Sequence, residues 1–267
     1  MDTLQAAAPM PTDIRWMRRA ALALLGLGVL LGLAMLLSRV AQSARFDWRQ
    51  MRIEGDLTHN SEAQLRANTL PRLQGNFLST PLNEVREAFE AVPWVRRATV
   101  RRIWPDRLLV QLEEHRASAL WQAEERDDRL VNQQGEVFAA NIGDVEDEAL
   151  PTFSGPEGSS APVLSLYRRL LPLLRPLDME IEQLQLSTRG SWRVLLDSGA
   201  TLELGRGTED EVLVRAQRFV RTLSQLTDRY RAPLEHADLR HADGYAVRLR
   251  GVTTNPTTAP AGPKSAP

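Results

Sequence analysis

Cysteine is absent from the 267 residues of this chain. Its absence excludes disulfide frameworks, thiolate zinc sites, cysteine nucleophiles and thiol redox chemistry together. It leaves the compartment open, because reducing and oxidising compartments both hold cysteine-free proteins. Lysine is almost absent too: Lys264, three residues from the end, is the only one. A phosphate-loop lysine, a Schiff-base lysine and a serine–lysine dyad each need a lysine inside a folded body. Nor is there an excess of one charge. Lysine and arginine total 33 against 34 aspartates and glutamates, a formal net charge of -1. That balance argues against a surface built throughout to hold nucleic acid or another polyanion.

Catalytic and metal-binding patterns are missing as well. The histidines His59, His115, His236 and His241 do not fall at zinc-ligand spacing. Gly205-Arg206-Gly207 opens like a dinucleotide fingerprint, but position 210 is aspartate and the strand before it leads out of a hairpin. No Gly-x-Ser-x-Gly nucleophile elbow occurs. Glu113-Glu114 and Asp127-Asp128 are adjacent pairs on strand or loop, so their carboxylates diverge and read as solvated charge. Nothing here implies an enzyme, a metal or a cofactor.

What the chain does have is one long apolar run, the eighteen residues from Ala20 to Leu37. As a helix it covers ~27 Å, close to the ~30 Å hydrocarbon core of a bilayer. Arg15, Trp16, Arg18 and Arg19 precede it and Arg39 closes it, as suits the headgroup region. Gly26, Gly28 and Gly32 permit close helix contact in lipid. Ala41-Gln42-Ser43 offers a signal-peptidase-like site, yet the run exceeds the ~7–15 residues of a signal core, so a retained anchor over 20–38 is expected. Arginines follow the run as well as precede it, so their count alone does not fix the orientation.

The remainder reads as globular. Met51–Glu54 alternates as a strand stopping at Gly55, and Ser61 with Gln64 reads as a capping box opening a helix that Pro71 ends. Thr80-Pro81 reads as an N-cap with proline in the first turn of a second helix, whose Leu82, Val85, Phe89 and Val92 share a face. Strands are expected over Val95–Ile103 and Leu108–Glu113. The order strand, helix, helix, strand, strand makes an α+β unit.

Beyond Ala119, a strand pair turns at Gln134-Gly135, Asp144–Glu148 reads as acidic loop, and Gly155–Ser160 as a break. A helix is expected over Val163–Leu174 and strands over Ile181–Thr188, Trp192–Leu196 and Thr201–Leu204. Thr208 with Glu211 opens a helix to about Leu226, its core face Val212, Ala216, Phe219, Val220 and Leu223. His236–Arg240 and Tyr245–Arg250 are the last expected strands, turned at Asp243-Gly244. Residues 251–267, rich in threonine, proline and alanine, cannot bury enough surface to order themselves. One basic cluster stands out: Arg96, Arg97, Arg101, Arg102 and Arg107, with Trp104. It reads as a solvated face or as a surface for anionic lipid headgroups or an acidic partner. A nucleic-acid role sits poorly with an anchored, near-neutral chain.

Taken together, these residues resemble the bacterial FtsQ/DivIB cell-division family. Arg52-Ile53-Glu54-Gly55, Gly75-Asn76-Phe77, Val92-Pro93-Trp94-Val95 and Trp104-Pro105-Asp106-Arg107-Leu108 are similar to that family's POTRA domain. Leu108–Glu114 followed by Ala119-Leu120-Trp121 resembles the stretch joining its two domains. Leu130-Val131-Asn132, Gly135–Phe138, Leu150-Pro151, Gly155–Ser159, Leu204-Gly205-Arg206 and Ala237–Arg240 resemble its β domain.

The resemblance implies a cytoplasmic tail (1–19), a transmembrane helix (20–38), a periplasmic POTRA domain of order β-α-α-β-β (46–116), a mixed β domain with flanking helices (117–250) and a disordered tail (251–267). It implies a single-pass inner-membrane protein at the division septum, a non-enzymatic divisome scaffold helping to control septal peptidoglycan synthesis. It further implies FtsB and FtsL as partners at the β-domain edge, and other divisome proteins at the POTRA domain. The residues it points to are Arg206, Arg240, His241, Gly244, Tyr245, Val247 and Leu249. His241 stands where tyrosine is often found and Tyr245 where a smaller residue is common. The final strand, as the last before the tail, is expected at a sheet edge where a partner strand can pair. The alternative is a POTRA-bearing transport or outer-membrane assembly component, which calls for a following β-barrel.

Overall fold

In a computed structural model, the residues described are 12–41, 50–72, 76–77, 80–123, 126–241 and 244–252. Helix α1 spans Thr12–Ala41, extending the expected apolar segment at both ends. Its central Trp16–Arg39 is long and apolar enough to cross a membrane, and nothing among the described residues buries it. Leucines such as Leu22, Leu25 and Leu30 are about two-thirds exposed. In water that surface would be a large uncompensated hydrophobic exposure; in lipid it is the required one.

Inter-residue contacts divide the chain into Met1–Glu114 and His115–Pro267. In the first unit β1 (Gln50–Asp56) leads through α2 (Glu62–Thr69) and α3 (Leu82–Glu90) to β2 (Val95–Ile103) and β3 (Arg107–Glu114). The sheet order is β1-β3-β2, with β1 parallel and β2 antiparallel to β3. Central β3 alternates as its sequence requires. Leu108, Val110 and Leu112 are buried against Leu65 of α2 and Val85 and Phe89 of α3, while Gln111 and Glu113 are exposed. At Gly55 the backbone has φ +145°, and a Cβ would run into the Leu112 carbonyl across the β1–β3 pair. Glycine is therefore required where the strand was expected to stop, and β1 in fact continues to Asp56.

Two expectations in this unit are corrected. Pro81, in extended conformation, occupies the N-cap of α3, its carbonyl accepting from Glu84 and Val85 N–H. The Thr80 hydroxyl instead donates back to the Asn76 carbonyl at 2.8 Å. Glu114 is not solvated charge: its side chain is 5% exposed. It accepts the backbone N–H groups of Thr58, His59 and Asn60 at 2.8–3.1 Å and the Asn60 amide at 2.9 Å. A carboxylate with that many donors is well compensated for burial, and His59 stacks on Trp94 beside it with ring centroids 3.7 Å apart. Its neighbour Glu113 stays exposed and pairs with Arg96 at 2.7 Å. Ser61 caps α2 by accepting the Gln64 N–H.

The second unit runs β4 (Ala117–Ala123), β5 (Arg126–Asn132), β6 (Val137–Phe138), β7 (Thr152–Ser154), α4 (Ser160–Leu174), β8 (Ile181–Leu186), β9 (Ser191–Leu196), β10 (Thr201–Arg206), α5 (Glu209–Tyr230), β11 (Leu234–Asp238) and β12 (Ala246–Leu249). Among the described residues these nine strands form one sheet in the order β12-β11-β10-β9-β8-β7-β4-β5-β6. Helix α4 connects parallel neighbours β7 and β8, and α5 connects parallel neighbours β10 and β11. The two helices lie side by side, tied by Arg169 to Glu209 at 3.2 Å and Asp210 at 2.6 Å. Leu166, Leu170 and Leu174 of α4 and Val212, Ala216, Phe219 and Leu223 of α5 fill one core over the sheet.

The capping box opening α5 is complete: Glu211 N–H donates to the Thr208 hydroxyl, and Thr208 N–H to the Glu211 carboxylate. Helix α5 continues one turn beyond the expected Leu226, to Tyr230. The three-residue β7, between Pro151 and Gly155, had no sequence expectation; three residues are too few to display alternation. The acidic stretch expected as loop holds a short 3-10 turn, Ile142–Val145, with Val145 buried. Of the expected 251–267 tail only Gly251 and Val252 are described. The rest, like residues 1–11 and Asp243, lies outside the described residues.

Candidate partner-binding edge

Among the described residues β12 has a neighbour on one side only, so it is an edge of the nine-stranded sheet. It runs antiparallel to β11, with His236 opposite Arg248, Ala237 opposite Val247 and Asp238 opposite Ala246. The Arg250 N–H donates to the Pro233 carbonyl on the β11 side at 2.9 Å. The two-residue alternation of an extended strand then turns the polar backbone groups of Arg248 and Ala246 toward β11 and those of Val247 toward the open side. Side chains alternate the other way about: Leu249 is buried and Val247 packs against the core, while Ala246 and Arg248 are exposed. What Val247 and Leu249 present to a partner is therefore backbone rather than side chain. Along this edge runs a groove of about 660 Å³, bounded by Leu226 and Tyr230 of α5, by Val247 and Leu249, and by Val252.

Tyr245 sits just before β12, outside the strand in which it was expected. Its ring meets Phe219 edge-on with centroids 5.4 Å apart, and its hydroxyl pairs with that of Thr222. The side chain thus fastens the start of the edge strand to α5. Gly244 beside it is half-buried, and His241 is exposed.

The two arginines lie at the ends of the strands next to the edge, Arg206 closing β10 and Arg240 just past β11. Strand β10 bulges between Glu203 and Gly205. There Gly205 takes φ +80°, and a Cβ on it would stand 3.0 Å from the Arg240 Cγ and 3.3 Å from its Cα. Only glycine lets Arg240 pack this closely over β10. The Leu239 N–H continues the β10–β11 pairing by donating to the Glu203 carbonyl at 2.8 Å. Arg206, next to Gly205, is exposed, and among the described residues its guanidinium has no partner. Arg215 holds the turn from inside α5, donating to the Leu204 and Arg206 carbonyls.

Arg240, also exposed and two residues past the end of β11, forks onto Asp238. Its Nε reaches Oδ1 at 2.9 Å and its Nη2 reaches Oδ2 at 2.6 Å, while its backbone N–H donates to Oδ1 at 3.0 Å. The fork, more than any other effect, depresses the Asp238 carboxyl to a pKa of about 2 and raises that of Arg240. His241 adds to the positive field on Asp238. Sequence reasoning assigned no site role to Asp238. The signal available was an acid two positions before an arginine at a strand end, which permits such a fork but does not require it. Among the described residues, no three or more histidines, aspartates or glutamates are grouped so as to hold a metal ion.

Seven expected site residues thus fall in three places: Arg206, Arg240 and His241 exposed at or just past the ends of β10 and β11, Gly244 and Tyr245 at the start of β12, and Val247 and Leu249 on the edge itself. Comparisons with known proteins agree with this architecture. Residues 46–115 match the family model described as POTRA domain, FtsQ-type. Residues 119–240 match the model described as Cell division protein FtsQ/DivIB, C-terminal; β12, from Ala246, lies beyond the matched region. The chain is 37% identical to "Cell division protein FtsQ" of Thiomonas arsenitoxydans, over 97% of this chain and 98% of that protein. It is 39% identical to the protein of the same name from Burkholderia pseudomallei, over 91% of this chain and 96% of the relative. For the Bordetella pertussis protein the identity is 38%, over 84% and 88%. With a POTRA-type unit, a mixed sheet carrying helices, and relatives matched along almost their whole length, the chain belongs to the FtsQ/DivIB family of cell-division proteins.

Proposed function

We propose that this protein is a non-enzymatic scaffold of the divisome, anchored by α1 with both folded units in the periplasm, and that it captures FtsB, and with it FtsL, at the β12 edge. The observation that carries the reading is the edge strand β12, which starts at the end of β11 where Arg240 is exposed, with exposed Arg206 closing β10 alongside. A partner strand laid along β12 gains main-chain hydrogen bonds at Val247, and carboxylates at one end of that strand meet Arg206 and Arg240. Such a site binds and orients; it needs no reacting group, which fits a role in controlling septal peptidoglycan synthesis through recruited partners. The reading as an outer-membrane assembly component loses its ground, because residues after the POTRA-type unit match the FtsQ/DivIB C-terminal model.

The test is capture of FtsB by the full-length chain in detergent. Arg206→Glu and Arg240→Glu each replace attraction by repulsion at the proposed contact, and each should weaken capture by roughly a hundredfold. Arg206 is exposed and its guanidinium has no partner among the described residues, so melting followed by circular dichroism should be unchanged in Arg206→Glu. Arg240→Glu also removes the fork on Asp238 and should lower melting slightly without unfolding the unit. Full capture by both variants would remove the site.

A further inference from the structure

The hairpin tip between β2 and β3 carries features that partner capture at β12 does not use. Trp104 is 78% exposed and its neighbour Ile103 is 43% exposed. Arg101 and Arg107 flank them, both exposed, and among the described residues neither guanidinium has a hydrogen-bonding or ionic partner. Arg102 is different: it donates to the Phe77 and Thr80 carbonyls, so the basic cluster divides between structural and free members. Asp106 is the acid at this tip, and it is half-buried.

The register of the sheet says where the tip points. Strand β1 pairs parallel with β3, and its first residue, Gln50, lies opposite Arg107. The end of the sheet bearing Trp104 is therefore the end at which the chain arrives from the membrane helix. Only residues 42–49 separate α1 from β1, and even fully extended that segment reaches no more than ~30 Å. A tryptophan with an isoleucine beside it suits the interfacial layer, where an indole keeps one edge wet and its body in acyl chain. Unpaired guanidiniums suit phosphate, which they hold bidentately. Position, apolar surface and charge agree on a single occupant.

We propose that the β2–β3 tip is a second membrane contact: Ile103 and Trp104 seat in the headgroup layer of the bilayer that α1 crosses, with Arg101 and Arg107 on anionic lipid phosphates. The contact orients the POTRA-type unit with its β1 entrance down on the membrane and its Glu114 end away. It holds on whichever side of the membrane the unit lies, so it does not depend on the proposed partner.

The chain lacks cysteine, so a single introduced one takes a label uniquely. Full-length Trp104→Cys and Ala63→Cys would each carry an environment-sensitive fluorophore. Ala63 is exposed on α2 close to Asn60, whose amide bonds Glu114 at the opposite end of β3. Both would be reconstituted into vesicles of phosphatidylcholine alone or with one-third phosphatidylglycerol. The label at 104 should be blue-shifted and shielded from an aqueous quencher in the anionic vesicles only, and Arg101→Glu with Arg107→Glu should abolish the shift. The label at 63 should stay water-exposed in both. In unlabelled protein, the difference spectrum between the native chain and Trp104→Ser should show the same lipid-dependent shift for the indole itself. A label at 104 as exposed as that at 63 in anionic vesicles overturns the proposal and returns the tip to a soluble acidic partner. Equal shielding in neutral vesicles overturns it as well, because the arginines would then have no part in it.

Discussion

Arg240 already holds a carboxylate of its own before any partner arrives. Asp238 occupies both arms of its fork at 2.9 and 2.6 Å, so a partner acid must share the guanidinium or displace Asp238. Because Arg240 is largely solvent-exposed, the pair is held at modest cost and can be exchanged. The consequence can be read by titration. The folded-state pKa of Asp238 lies near 2, below its ordinary 3.8. Its stabilising contribution is therefore fully present above about pH 4 and is lost as pH falls through about 2. Carboxyl-carbon NMR should show the low midpoint in the native chain and a return toward 3.8 in Arg240→Ala. An unchanged midpoint would mean the fork is not the cause. Gly205 belongs to the same scale, since the fork's position rests on Arg240 packing where no side chain stands.

At the scale of elements, the informative strand is β12. Its two faces and two edges are all assigned: Val247 and Leu249 inward, Ala246 and Arg248 outward, β11 on one edge and no strand among the described residues on the other. Proline substitution separates the two edges by the N–H that each variant loses, since the restriction of φ is common to both and Val247 loses only partly buried packing. Val247→Pro deletes an outward donor and should lower melting only a little, through lost packing of a partly buried side chain, while weakening FtsB capture by roughly tenfold, the worth of about one main-chain hydrogen bond plus misfit. Arg248→Pro deletes an inward donor and should cost the unit about 1–3 kcal/mol of stability instead. The opposite pattern, measured by denaturant melts and capture together, would reverse the assigned direction of the strand.

Over the whole molecule, the anchor, both units and the paired helices were legible in the sequence because each rests on a local period. An eighteen-residue apolar run, period-two alternation in β3 and the Thr208–Glu211 capping box all announce themselves within a few residues. The edge position of β12 followed from chain order alone. What stayed hidden depends on contacts distant in sequence. Glu114 looks like surface charge until β3 carries it beneath the 58–60 turn. That Tyr245 also fastens the start of β12 to α5 shows only once the fold brings Phe219 and Thr222 to it. The Trp104 tip gains its meaning only from the parallel register that sets it beside the chain's arrival from α1.

The edge claim is tested most directly by hydrogen exchange on the full-length chain, with and without FtsB, followed at single-residue resolution across 244–252. An edge strand that accepts a partner gains protection where its donors had faced water. The Val247 amide should slow sharply on binding, while Arg248 and Arg250, already turned toward β11, should change little. Bound FtsB with Val247 exchanging as fast as in the free protein would contradict the docking edge.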